Sequence, residues 1–251
     1  MNKLLCSILL ATSVSFAGLI STTDVTVDGV NTITKNYQFT PNPADLGDLS
    51  HDRATAWGIS GVSLANGETV TGASLKIENL RNWELNEWNS LFIDLLWWAP
   101  EGVTTYKDQN MGYGYGKDDD YFVGKESEFG TVNLTRLNYN VFSGSDGMYA
   151  NPSEGVTISL DGYKREGFNK IFPLYDVTID FSDSELATLT SYLNDGNFGL
   201  GIDADCHFYN DGFNLSLTTQ KTSDVPEPCS LSLMLIGLTS LGGAFVIKKR
   251  K

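Results

Sequence analysis

Leu91-Phe-Ile-Asp-Leu-Leu-Trp-Trp98 is apolar at nearly every position, so a period-two reading leaves neither face polar. A strand of that kind belongs inside a sheet, covered on both sides. Upstream, Ser74-Leu-Lys-Ile-Glu78 alternates polar with apolar residues, the pattern of a strand with one face in a core and one in water. Period-two runs recur at Asp24 to Val27, Thr32 to Thr34, Tyr37 to Phe39, Val132 to Leu137, Val156 to Leu160, Val177 to Phe181, Phe198 to Ile202 and Phe213 to Leu217. Turn pairs such as Asp28-Gly29 and Asn66-Gly67 punctuate them. Strands at this density predict an all-β fold, an antiparallel β-sandwich of jelly-roll-like kind.

One short helix is expected within it. Ser182 with Glu185 three residues on forms a capping box, Leu186, Leu189 and Leu193 repeat at helical spacing, and Asn194-Asp-Gly196 stops the run. It should pack along an edge of the sandwich. Residues 110–120 and 143–155 read as loops.

The two ends of the chain carry a different kind of information. Met1-Asn-Lys3 is a basic leader, Leu4 to Val14 is apolar, and Ser15-Phe-Ala17 offers small residues before Gly18. Residues 1–17 thus read as a secretory signal peptide, and 18–220 as the sandwich body. Residues 221–228 form a stalk ending in Val225-Pro-Glu-Pro228. Residues 229–247 then run without a charge, long enough as a helix to cross a bilayer core. Lys248, Lys249, Arg250 and Lys251 (248–251) follow at once, which places the C-terminus in the cytoplasm and the body outside. The expected architecture is therefore the sandwich plus a C-terminal transmembrane helix.

The order Pro226-Glu227-Pro228, apolar span and basic tail resembles the PEP-CTERM sorting signal of Gram-negative bacteria. That resemblance implies recognition of Pro226, Glu227 and Pro228 by exosortase, a membrane-embedded transpeptidase-like protease, in organisms that make exopolysaccharide. It implies a substrate of the secretion machinery, anchored in the inner membrane before processing and then displayed at the cell surface or secreted. Within the body, Trp57-Gly-Ile59, Ile77 to Trp83, Leu91-Phe-Ile93 and Phe198 to Phe208 are similar to segments of a recurrent group of exported proteins bearing the same signal. A structural or adhesive role in the extracellular polysaccharide of a biofilm follows as an expectation. The alternatives are a carbohydrate- or calcium-binding module and, beyond that, a secreted matrix hydrolase.

Charge narrows the partners. Setting aside Lys3, the four basic residues at 248–251 and Glu227 leaves 12 basic and 30 acidic groups, a net charge of −18 on the body. Such a surface repels phosphate backbones, so no nucleic acid is expected, and cations are the natural ionic partners.

The densest set of ligand types is Asp203-Ala-Asp205-Cys206-His207. Were the strand from Phe198 to continue, Asp203, Asp205 and His207 would share one face, with Asn210 and Asp211 arriving from the next turn. Calcium suits the carboxylates, whereas His207 draws the set toward a transition metal. The alternative is that these residues end strands and satisfy turn amides. On the same continuous strand Cys206 and His207 would point to opposite faces, which argues against a thiol protease unless His51 came from far away. Two histidines and no Gly-x-Ser-x-Gly elbow give a serine triad little support, and no pair of acids stands out for glycoside cleavage. No enzymatic activity is expected. Asp118-Asp-Asp120 is a second acidic stretch without EF-hand spacing. Trp83, Trp88, Trp97 and Trp98, with Tyr113 and Tyr115, hold aromatic faces suited to stacking on sugars or to filling a core.

Overall fold

The computed structural model describes residues 24–28, 32–85, 88–108, 121–124, 139–144, 147–151, 155–194 and 196–222. The terminal signals, Val132 to Leu137 and Asp118 to Asp120 lie outside them. In chain order the strands open with β1 (Asp24–Asp28), β2 (Thr32–Phe39), β3 (Asp48–Ser50), β4 (Arg53–Ser60), β5 (Glu68–Asn82), β6 (Asn89–Leu96) and β7 (Val103–Lys107). A one-turn helix, α1 (Tyr121–Gly124), comes next, followed by β8 (Tyr139–Gly144), β9 (Gly147–Asn151), β10 (Val156–Arg165) and β11 (Ile171–Asp180). Helix α2 (Asp183–Tyr192) precedes β12 (Asn197–Ala204), β13 (His207–Tyr209) and β14 (Gly212–Thr222).

All pairings among the described strands are antiparallel. One sheet runs β1-β2-β14-β5-β11-β10, with β13 bridging β3 and β5; the other runs β7-β4-β12-β6-β8-β9. The result is all-β and sandwich-like. Leu75 and Ile77 of β5, Val177 and Ile179 of β11, and Leu215 and Leu217 of β14 meet Trp57 of β4, Leu91 and Ile93 of β6, and Leu200 and Ile202 of β12 in one core. Period two therefore does what the sequence requires: Leu75 and Ile77 are buried while Glu78 is exposed.

β6 is an inner strand covered on both sides, as its apolar character predicts. Leu91, Ile93 and Leu95 enter the main core, and Leu96 joins Ala54, Ala56 and Phe122 in a second cluster on the other face. That outer face is paved with small residues. A methyl group at Gly201 would stand 2.6 Å from the Phe122 ring, and one at Gly58 only 1.8 Å from the Pro100 carbonyl oxygen. The glycines let the chain after β6 lie directly on the sheet.

Helix α2 begins where the capping box places it. The backbone N–H of Ser182 donates to Glu185 Oε2 at 2.6 Å, and the Ser182 hydroxyl donates to the same oxygen at 2.8 Å. Leu189 and Leu193 are fully buried in the main core, and Val70 N–H donates to Thr190 Oγ1 at 3.0 Å. The helix carries the chain from β11 in one sheet to β12 in the other and packs on β5 and β12, both interior strands of their sheets, rather than on an edge strand. Residues 143–155, expected as a loop, hold instead the end of β8 and all of β9, paired from Asn140–Asn151 to Gly144–Gly147. Their Gly, Ser and Asp content masks a hairpin whose turn uses Gly147 at φ 136°. Among the described residues no helix is long and apolar enough to cross a membrane.

Candidate metal centre at the sandwich corner

β4 pairs with β12 in one sheet, and β3 pairs with β13 in the other. The segments β3-β4 and β12-β13 thus form one two-stranded ribbon that bends from sheet to sheet. The bend falls at His51-Asp52 on one strand and Asp205-Cys206 on the other. Strands that switch sheets make the corners of sandwiches in this way. Across the bend the two turns stay joined, because the His51 N–H donates to the Cys206 carbonyl at 2.7 Å. Asp205 N–H donates to the Ser90 carbonyl at 2.9 Å, tying the same corner to β6.

The bend dissolves the face predicted for Asp203, Asp205 and His207. β12 ends at Ala204, so the alternation stops there. Asp203 lies on the outer face of its sheet, where its Oδ2 accepts the Tyr121 N–H at 2.8 Å. Asp205 sits in the turn, where burial raises its carboxyl above its ordinary value and nearby His51 pulls it the other way. His207 opens β13 in the opposite sheet. Asn210 is also engaged elsewhere, accepting from Leu46 N–H at 3.3 Å and donating to the Gly47 carbonyl at 3.2 Å. Asp211 accepts from Asn79 Nδ2 at 3.0 Å.

A different trio converges instead. His51, Cys206 and His207 each place one ligand atom so that all three lie within 4.8 Å of one another, and all three residues are half-buried. The expectation that Cys206 and His207 diverge fails because it assumes a continuous strand, and a bend between neighbours removes that constraint. His51 does come from far away in sequence, delivered by the ribbon. The two imidazoles meet edge to face, with centroids 5.2 Å apart and planes at 83°. The Trp83 ring lies 5.5 Å from the His207 ring, and the Trp83 backbone N–H donates to the His207 carbonyl at 3.2 Å. Both carboxylate oxygens of Asp48 lie against His207 Nδ1, at 2.9 and 3.0 Å.

Two imidazoles and a thiol are nitrogen and sulfur donors, the set that zinc and copper take and calcium does not. A thiol nucleophile with one imidazole base is the other chemistry such residues support, but it leaves the second imidazole without a role. Of the trio, sequence reasoning places only His207 in the metal set with Asp203 and Asp205; it sets Cys206 on the opposite face and names His51 only as a distant partner that a Cys-His pair would require, since no spacing signal brings it there. The aromatic candidates divide. Trp98 packs on Tyr106 beside the second cluster, Trp97 is half-buried, and Trp83 and Trp88 are exposed, with Trp88 edge-on to Tyr149 at 6.1 Å. Tyr113 and Tyr115 lie outside the described residues. No protein family, no curated protein and no solved structure matches the chain.

Proposed function

We propose that the chain is an exported, non-catalytic matrix protein. The body is a jelly-roll-like sandwich sorted through the Pro226-Glu227-Pro228 signal by exosortase and held transiently in the inner membrane by a transmembrane helix at 229–247. The observation that carries this reading is the order of motif, uncharged span and basic tail at 225–251, matched in topology by the signal peptide at 1–17. The body fits between these signals: β1 opens at Asp24, after the expected cleavage point, and β14 ends at Thr222, just before the motif. Early and late strands lie side by side, β2 against β14 and β4 against β12, which supports the jelly-roll-like reading. Exposed Trp88 and its neighbour Tyr149 offer apolar rings to the polysaccharide that would surround the released body.

The test is fractionation of cells with and without the exosortase, followed by intact mass measurement of the secreted form. Loss of residues 248–251 only where the enzyme is present is the expected result. Recovery of an unprocessed chain from both strains overturns the proposal.

A further inference from the structure

We propose that His51, Cys206 and His207 form a mononuclear site for a thiophilic transition-metal cation, zinc or copper(I). The site stands on the sandwich corner alone and requires nothing of the sorting signal.

Three features argue that the trio is built rather than accidental. First, its donors come from two turns locked together by the 2.7 Å bond from His51 N–H to the Cys206 carbonyl, so the ladder fixes the backbone beneath the ligands. Second, Asp48 takes up Nδ1 of His207 and leaves Nε2 as the nitrogen available to a metal. A carboxylate behind a metal-binding histidine fixes the tautomer and raises ligand basicity. Third, the His207 ring packs against both Trp83 and His51, which narrows the positions it can take. The present spread of up to 4.8 Å exceeds that of a closed tetrahedral set, whose bonds of about 2.0 to 2.3 Å put donors about 3.5 Å apart. Side-chain rotation of roughly an ångström over a fixed backbone closes the difference.

The donor set also selects the ion. Calcium takes oxygen ligands and is not expected here, whereas thiolate with imidazole suits zinc and copper(I). Binding converts the Cys206 thiol to a metal-bound thiolate and releases its proton to solvent, so affinity rises with pH. Three protein ligands leave a fourth position for water or an external ligand. Half-burial of all three residues keeps that position open to solution.

The experiment uses the full-length chain, purified in detergent, stripped with chelator and loaded separately with zinc, cobalt(II) or copper(I). One zinc per chain should survive desalting, cobalt(II) should give a sulfur-to-metal charge-transfer band, and copper(I) should displace zinc one for one. Cys206→Ser should abolish the band, and His51→Ala or His207→Ala should remove zinc retention. Asp48→Asn, which alters no ligand, should weaken zinc about 10- to 100-fold. A further measurement needs no variant: zinc should slow alkylation of Cys206, assigned by peptide mass to distinguish it from Cys6 and Cys229. Retention of neither zinc nor copper(I), zinc affinity unchanged in Cys206→Ser, or an alkylation rate indifferent to zinc each overturns the proposal.

Discussion

The guanidinium carbon of Arg81 stands 4.2 Å from the centre of the Tyr209 ring, its direct partner across β5 and β13. Arg81 is buried and also donates through Nη2 to Glu166 Oε1, so one side chain links β5 to the hairpin of β10 and β11 and to the small strand beside the corner. Breaking a buried pair from one side strands the other charge. Arg81→Met should cost about 3 kcal/mol, at the lower end for such pairs because Glu166 is partly exposed and keeps Lys164 at 3.4 Å. Urea denaturation measures it. The double variant Arg81→Met/Glu166→Gln should recover part of the loss, and strictly additive costs would show that the pair is not coupled.

A second buried charge sets the acid limit. Burial pushes the Glu68 carboxyl up, but hydrogen bonds from Thr219 Oγ1, Lys35 Nζ and Ala65 N–H together outweigh it and hold the group below its ordinary value of 4.5. On the outer face, burial likewise raises Asp176, while Lys76 at 2.9 Å and the Asn79 N–H bring it below 3.8. A carboxyl depressed in the folded state contributes stability that is present above its unfolded value and lost as pH falls through the folded one. Stability should therefore hold at neutral pH and decline below about pH 4.5. Lys35 acts in the opposite sense. Burial lowers it, the bond to Glu68 and the nearby charges more than compensate, and its contribution is lost only as pH rises through its raised folded value. Glu68→Gln should flatten the acid slope by up to about one proton in a pH series of denaturation curves. An unchanged slope would remove Glu68 from the account.

The glycines under the second cluster make a packing prediction. At Gly201 a methyl group meets the Phe122 ring at 2.6 Å, and overpacking of this kind costs about 1 to 3 kcal/mol. Gly58→Ala should cost more than Gly201→Ala, since its obstacle at 1.8 Å is the Pro100 backbone carbonyl rather than a side chain that can turn. Trimming the obstacle should help only one of them. Phe122→Leu should partly rescue Gly201→Ala and leave Gly58→Ala unimproved, read as melting temperatures. Equal rescue of both would mean that the strand, not the ring, absorbs the strain.

Strand composition made the sheets legible, because Leu75 and Ile77 or Leu200 and Ile202 must face inward whichever partners they find. The helix was legible too, since Ser182, Glu185, Leu189 and Leu193 carry local signals that need no tertiary context. What stayed hidden depends on where strands bend. Nothing in Asp203-Ala-Asp-Cys-His207 announces that alternation ends at Ala204, so the pattern puts Asp203 and His207 on one face where the structure has them in different sheets. His51 is nameable as a distant partner for Cys206, but nothing local shows that it arrives: its place comes from the register of β3 with β13 and β4 with β12, a long-range property. The pairing of β8 with β9 is hard to read because the Gly, Ser and Asp content around Gly144 and Gly147 looks like loop, although those two glycines are themselves paired across the strands.

At the tip between β10 and β11, Phe168 is fully exposed and holds φ 63° and ψ 22°, followed by Asn169 at φ 60°. A left-handed conformation costs an ordinary L-residue about 1 to 2 kcal/mol, and asparagine less, because its short polar side chain suits that region. The neighbouring Asn169 is used in this way, with its Oδ1 accepting from Arg165 Nη2 at 2.7 Å. Phe168 gains nothing from burial to offset its backbone, so Phe168→Asn should stabilise the protein by about 0.5 to 1 kcal/mol. Chemical denaturation should show a higher midpoint at an unchanged slope. Leu160, Tyr163 and Ile171 are also exposed on this hairpin, so the same substitution should reduce any concentration-dependent association seen by sedimentation. A lowered midpoint in dilute solution would show that Phe168 packs against the protein itself; a lowered midpoint only at high concentration would assign its ring to contacts between molecules.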